Sequence, residues 1–102
     1  MDGGFRLGPW RVLPRLGRLE GPEGSHQLEP KMMAVLLELA RRSGEPVSNR
    51  QLLEGVWGGE AVSESVSRRA VYELRKVLGD DPEKPRFIET LPRIGYRLVA
   101  EV

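Results

Sequence analysis

The sequence predicts an α+β fold: an N-terminal antiparallel sheet, three helices and a C-terminal β-hairpin. Three observations predict it. Over residues 5–28, short fragments of alternating apolar residues are separated by Gly and Pro, the punctuation of a small antiparallel sheet. Three stretches then carry apolar residues at helical spacing, each followed by a glycine that acts as a stop signal. At the end, two runs rich in strand formers flank Pro92-Arg93-Ile94-Gly95, the layout of a hairpin.

The 102 residues fit one compact domain, taken to span the chain from 1 to 102. At this size roughly 65% of the extended-chain surface can be buried on folding, so neither a disulfide nor a metal is needed for stability. The chain has no cysteine, which excludes disulfides, thiolate metal sites and a Cys nucleophile, and fits a reducing compartment. There is no apolar run of about 18 residues, so no membrane contact by this segment is expected. No charged start followed by an apolar stretch marks a signal peptide. The net charge of +1 says little about partners, because the distribution of charge decides more than its sum.

In the first element, Phe5 and Leu7, Trp10 and Val12, Leu16 to Leu19, and His26 and Leu28 are the expected strand fragments, with Gly8-Pro9, Pro14, Gly17 and Gly21-Pro22 between them. The three-helix core is expected over 29–78. Its first helix starts at Pro30, which suits a first helical position, with Glu29 before it at the positive end of the helix dipole. Met32, Met33, Leu36, Leu37 and Ala40 recur at helical spacing, and Val35 and Leu39 widen the stripe. So wide an apolar face predicts a central helix packed on more than one side. Arg41, Arg42 and Gly44 end it.

Pro46-Val47 reads as an extended link. Ser48 and Gln51 form a capping-box pattern that opens a second helix, with Leu52, Leu53, Val56 and Trp57 on its apolar side and Gly58-Gly59 at its end. The third helix is expected from about Glu64 to Leu78, with Ser63 as cap and Gly79 as stop. Gly79 to Pro85 is a loop whose Asp80, Asp81 and Glu83 are expected to be solvated. Arg86 to Leu91 and Tyr96 to Ala100 are the strands of the final hairpin, over 86–100.

The third helix has two faces. Stepping 100° per residue puts Val71, Leu74 and Leu78 within about 40° of Ser67, which defines the inward stripe. Opposite lie Ser65, Arg69, Tyr72 and Lys76, flanked by Arg68 and Arg75 on one side and Glu73 on the other. Read as a solvated surface, this face would pair Arg69 with Glu73 at i, i+4. Read as a binding surface, it fits the B-DNA major groove, where Arg and Lys meet guanine edges or phosphates. Its neighbours favour the second reading. A capped helix, a Gly-rich turn and a basic helix follow the order of a helix-turn-helix. The hairpin behind it carries Arg93 at its tip, where a cation suits the negative minor groove. The predicted fold class is therefore a winged helix-turn-helix.

Several runs of residues carry a family resemblance. Leu74-Arg75-Lys76-Val77-Leu78, Ile88-Glu89-Thr90 and Gly95-Tyr96-Arg97 resemble the end of an OmpR/PhoB-type effector domain. Leu52-Leu53 with Val56-Trp57-Gly58 resembles its second helix, and Leu28-Glu29-Pro30-Lys31 the entry to its first. The resemblance covers roughly residues 5–100. It implies a four-stranded N-terminal sheet, a third helix in the major groove and a wing at the minor groove. It implies DNA contact by Ser65, Arg68, Arg69, Tyr72, Arg75, Lys76, Thr90, Arg93 and Arg97. The loop Gly58, Gly59, Glu60, Ala61 and Val62 is where family members contact RNA polymerase. Tandem direct repeats as target and a monomer that pairs on DNA are implied as well.

Met1 shortly before the first strand, and Leu91-Pro92-Arg93 in place of a basic residue followed by Gly, resemble the CadC/ToxR-like branch. No receiver domain is then expected ahead of this one. The chain is expected to be the cytoplasmic DNA-binding piece of a longer regulator, with a sensor or membrane anchor behind Val102. Two residues depart from the family pattern: Ser67 stands on the apolar stripe, and Pro92 replaces a wing cation.

The remaining residues are read conservatively. His26 lacks ligand partners at suitable spacing and is expected to be a half-buried strand residue. Trp10, Trp57, Met32 and Met33 are expected in the core. Glu60 and Glu64 suit either a polymerase-facing acidic spot or the first-turn dipole. No nucleophile–base pair, phosphate-binding Gly loop or metal cluster is visible, so neither an enzyme nor a bound cofactor or metal is expected. The leading function is sequence-specific binding of double-stranded DNA. Phosphate neutralisation by Arg68, Arg75, Lys76 and a wing Arg implies a slope of log K against log salt near about −3.6. The alternative is a winged-helix protein-interaction module without DNA binding, which the modest net charge and Glu73 permit.

Overall fold

The structure is a computed structural model that describes residues 3–58 and 62–102. Strands β1 (Phe5–Leu7), β2 (Trp10–Leu13), β3 (Arg18–Gly21) and β4 (Gly24–Gln27) form an antiparallel sheet in sequential order. Its register sets Phe5 opposite Val12, Val12 opposite Leu19, and Leu19 opposite His26. Side chains alternate across a strand, so Leu7, Val12 and Leu19 share the inner face and are fully buried.

Three expectations for this region are corrected. Leu16 does not begin a strand: Pro14–Leu16 is one 3-10 turn, with Pro14 fixing its start and Gly17 closing it at φ 61°. Leu28 is buried just beyond β4 rather than within it. His26 is exposed, because β4 is an edge strand with no buried residue. Its ring stands against Trp10 at 5.7 Å and 62°. Trp10, opposite Leu7 on the inner face, is half-buried against the core and packs on Gly21, where a Cβ would come within 2.7 Å of the indole.

Helix α1 (Pro30–Arg41) is the centre of the domain. Met33, Val35, Leu36, Leu39 and Ala40 are buried, and the helix packs on both other helices and on the C-terminal sheet. Each fully buried Leu stabilises by about 1.5–3 kcal/mol, several times its helix propensity, so packing holds this helix. Helix α2 (Asn49–Trp57) begins with the expected capping box: the Gln51 amide donates to Ser48 Oγ at 3.0 Å, and the Ser48 amide to Gln51 Oε1 at 2.8 Å. Lys31 Nζ donates to the Val56 carbonyl at 2.9 Å and lies 5.7 Å from the Trp57 ring centre. A cation on a last-turn carbonyl suits the negative end of the α2 dipole. Trp57 is buried, as expected.

Helix α3 (Ser65–Leu78) starts one residue later than expected, and Ser63 is not its cap. Glu64 takes that position in a helical conformation, while Ser63 Oγ bonds Ser65 Oγ. The C-terminal part is a three-stranded sheet rather than a lone hairpin. β6 (Ile88–Leu91) and β7 (Gly95–Leu98) pair antiparallel, and β5 (Val47–Ser48) adds to β7. The link between α1 and α2 is thus a strand. The C-terminal strands are shorter than expected because Asp80 intervenes. Its carboxylate accepts from the amides of Arg86, Phe87 and Ile88 at 2.7, 3.3 and 2.9 Å. Neither Asp80 nor Asp81, whose Oδ1 accepts from the Glu83 amide, is a merely solvated charge.

Candidate nucleic-acid interface

Helix α3 buries Ser67, Ala70, Val71, Leu74 and Leu78 against the core. The Ser67 hydroxyl, out of place on an apolar stripe, donates to the Glu64 carbonyl at 2.9 Å. Its burial therefore leaves no unsatisfied group. The opposite side is open: Ser65, Arg68, Arg69 and Lys76 are exposed, and Tyr72 is 60% exposed, unusual for a side chain of its size. Lys76 Nζ lies 5.6 Å from the centre of the Tyr72 ring, within cation–π range. No ion pair joins Arg69 to Glu73 among the described residues, so the i, i+4 pairing is not formed.

The wing stands beside this face. Its tip is a tight turn in which the Ile94 amide donates to the Leu91 carbonyl at 3.0 Å, with Pro92 at the second position. Arg93 follows at φ 67°, the third position of a type II turn, which favours glycine. Among the described residues no other non-glycine has positive φ. Arg93 is exposed at this tip. A cleft of about 280 Å³ separates wing from helix, lined by Asn49, Glu64, Arg68, Thr90, Arg93 and Tyr96 among others. Burial raises the Tyr96 hydroxyl pKa above its ordinary 10.0; nearby Arg75 and Arg68 oppose this, and Glu64 adds to it.

Two arginines of the expected set are engaged by the protein itself. Arg75 Nη2 donates to the Ile88 carbonyl at 2.8 Å and to Thr90 Oγ1 at 2.7 Å. Thr90 stays exposed and, while accepting that bond, keeps its hydroxyl proton to donate. Arg97 is ion-paired with Glu89 across the hairpin. The cations presented outward are Arg68, Arg69, Lys76 and Arg93. Of the expected polymerase-contact loop, Gly58 ends α2 in a left-handed conformation and Val62 is half-buried; Gly59, Glu60 and Ala61 lie outside the described residues. Asn49 was not singled out from the sequence. Its place one residue past the capping Ser48 is the signal that could have found it, since an N-terminal helix residue flanks whatever the helix end faces.

An open helix face set beside a projecting β-hairpin, behind a capped helix, defines a winged helix-turn-helix domain. The sequence model of the family described as "Transcriptional regulatory protein, C terminal" matches residues 23–98. The transcriptional activator CadC of Escherichia coli (strain K12) is 35% identical over 98 residues, 95% of this chain. The transcriptional regulator HilA of Salmonella typhimurium is 43% identical over 86 residues, 84% of this chain. The chain spans 19% of CadC and 15% of HilA, less than a fifth of either relative. The solved DNA-binding domain of E. coli CadC superposes with a TM-score of 0.84 at 33% identity, covering 94% of this chain and 91% of that one. The chain belongs to this family, the OmpR/PhoB-type winged-helix domains of bacterial transcription regulators.

Proposed function

We propose that this domain binds double-stranded DNA sequence-specifically as the DNA-binding part of a bacterial transcription regulator, with α3 in the major groove and the wing at the adjacent minor groove. One observation carries the reading. The outward face of α3 holds Ser65, Arg68, Arg69, Tyr72 and Lys76 with no ion pair among the described residues, and Arg93 projects from the wing on the same side of the molecule as that cleft. An α-helix fits the major groove, and a narrow minor groove attracts a tip cation. Arg69 and Tyr72, at the centre of the face, are assigned to base edges. Arg68, Lys76 and Arg93 are assigned to phosphates or the minor groove.

The finer parts of the reading follow the family. The target is a pair of tandem direct repeats, and the free chain is a monomer that pairs on DNA. The loop from Gly58 to Val62 meets RNA polymerase, the regulator works in the cytoplasm, and the domain has no catalytic role. The match to only 19% of CadC supports a longer regulator, and a membrane-anchored arrangement follows the resemblance to the CadC/ToxR-like branch. Selection of the 102-residue chain against random duplexes tests the reading. Enrichment of a repeated motif with fixed spacing is expected. A pool that stays unenriched while the protein remains folded favours a protein-interaction module instead.

A further inference from the structure

The wing presents an unpaired edge toward α3. β6 lies at the border of its sheet, and the Phe87 carbonyl bonds back to the Val99 amide, so both backbone groups of Ile88 face away from β7. Edge strands expose such groups unless something covers them. Here the end of α3 covers them. Asp80 Oδ2 takes the Ile88 amide at 2.9 Å, and Arg75 Nη2 gives to the Ile88 carbonyl at 2.8 Å. The same Nη2 reaches Thr90 Oγ1 at 2.7 Å, and Arg75 Nε is buried without a partner. A guanidinium with one nitrogen donating twice and another withdrawn from water is held in place by the protein, with Nη1 alone left outside the clasp. Its lone desolvated Nε is tolerable only because the charge-assisted bonds on Nη2 are strong.

We infer that Arg75 is a positioning residue: it sets the spacing between the recognition helix and the wing, and so lets one domain engage two grooves at once, instead of neutralising a phosphate itself. Asp80 is the second half of the clasp, gripping the start of β6 while Arg75 grips its middle. This inference rests on the proposed DNA-binding function, but the clasp itself is measurable without DNA.

Two measurements test it on the 102-residue chain. The first is amide hydrogen exchange of the β6–β7 ladder in Arg75→Met and in the milder, uncharged Thr90→Val. Ladder exchange should accelerate about tenfold to a hundredfold in Arg75→Met and less in Thr90→Val, with α1 amides unchanged. The second is a double-mutant cycle in affinity for a selected duplex. Arg75→Met and Arg93→Ala should overlap, the second change adding little once the first is made, because Arg75 acts through the wing. Thr90→Val should weaken binding without changing the salt slope. Ladder exchange unaltered in both variants, or affinity losses that simply multiply, overturns the inference. If the wild-type chain selects no duplex, the functional proposal falls, and the exchange measurement alone decides the clasp.

Discussion

Gly95 occupies a point where two backbones come too close for any side chain. A Cβ there would lie 2.0 Å from the Val47 carbonyl oxygen and 2.9 Å from Ser48 Cα. Those atoms belong to strand β5 and cannot swing aside as a flexible side chain would. Gly95→Ala should therefore cost about 3 kcal/mol or more, read as a lowered urea midpoint. A loss under about 1 kcal/mol would show that β5 and β7 are not joined as described. Tyr96, next in sequence, is buried with its hydroxyl pKa raised above 10.0, chiefly by burial. A raised folded-state pKa favours the protonated form in the native state. The contribution is complete below the unfolded value and lost as pH rises through the raised one. Stability should fall more steeply as pH rises above about 10 in the wild type than in Tyr96→Phe. Parallel curves for the two proteins would contradict the burial argument.

The wing turn stores strain where it presents charge. Arg93 at φ 67° adopts a backbone that L side chains avoid, at a cost of about 1 kcal/mol or more. Arg93→Gly should relieve that strain and raise the thermal midpoint by a few degrees, while weakening duplex affinity about tenfold. A variant that gains stability and keeps full affinity would remove Arg93 from the interface. The elements also show what could be read ahead of the fold. The three helices were legible because their signals are local: Pro30, the Ser48–Gln51 box, and Gly44, Gly58 and Gly79 lie within a turn of the ends they mark. The cationic face of α3 was legible for the same reason, since helical spacing alone sorts Ser67, Val71 and Leu74 from Arg69, Tyr72 and Lys76. What stayed hidden depends on distant partners. Val47–Ser48 becomes a strand only because Gly95 and Tyr96 lie alongside. Asp80 looks like a loop charge until residues 86–88 fold back onto it. Arg75 and Arg97 look outward-facing until β6 supplies Thr90 and Glu89.

At the scale of the molecule, charge distribution carries the functional reading. Sixteen basic residues nearly balance fifteen acidic ones, so association driven by net charge is weak and the localised cations must dominate. With Arg75 and Arg97 spent on internal bonds, Arg68, Lys76 and Arg93 remain to displace counterions. Three neutralised phosphates give a slope of log K against log salt of about −2.7, against about −4.5 if Arg75 and Arg97 also reached the backbone. Titrations of one duplex across a range of salt concentrations separate the two values, and a slope near the steeper one would return the inward arginines to the interface.

The two-residue strand β5 has one more consequence. Ser48 pairs with Gly95 through β5 and is also the residue whose hydroxyl opens α2. The root of the second helix and the stalk of the hairpin are thus stitched by the same residue, and a push on the hairpin is delivered to that helix's first turn without crossing a flexible joint. Whatever bends the tip on a ligand must either bend the helix root with it or break the stitch.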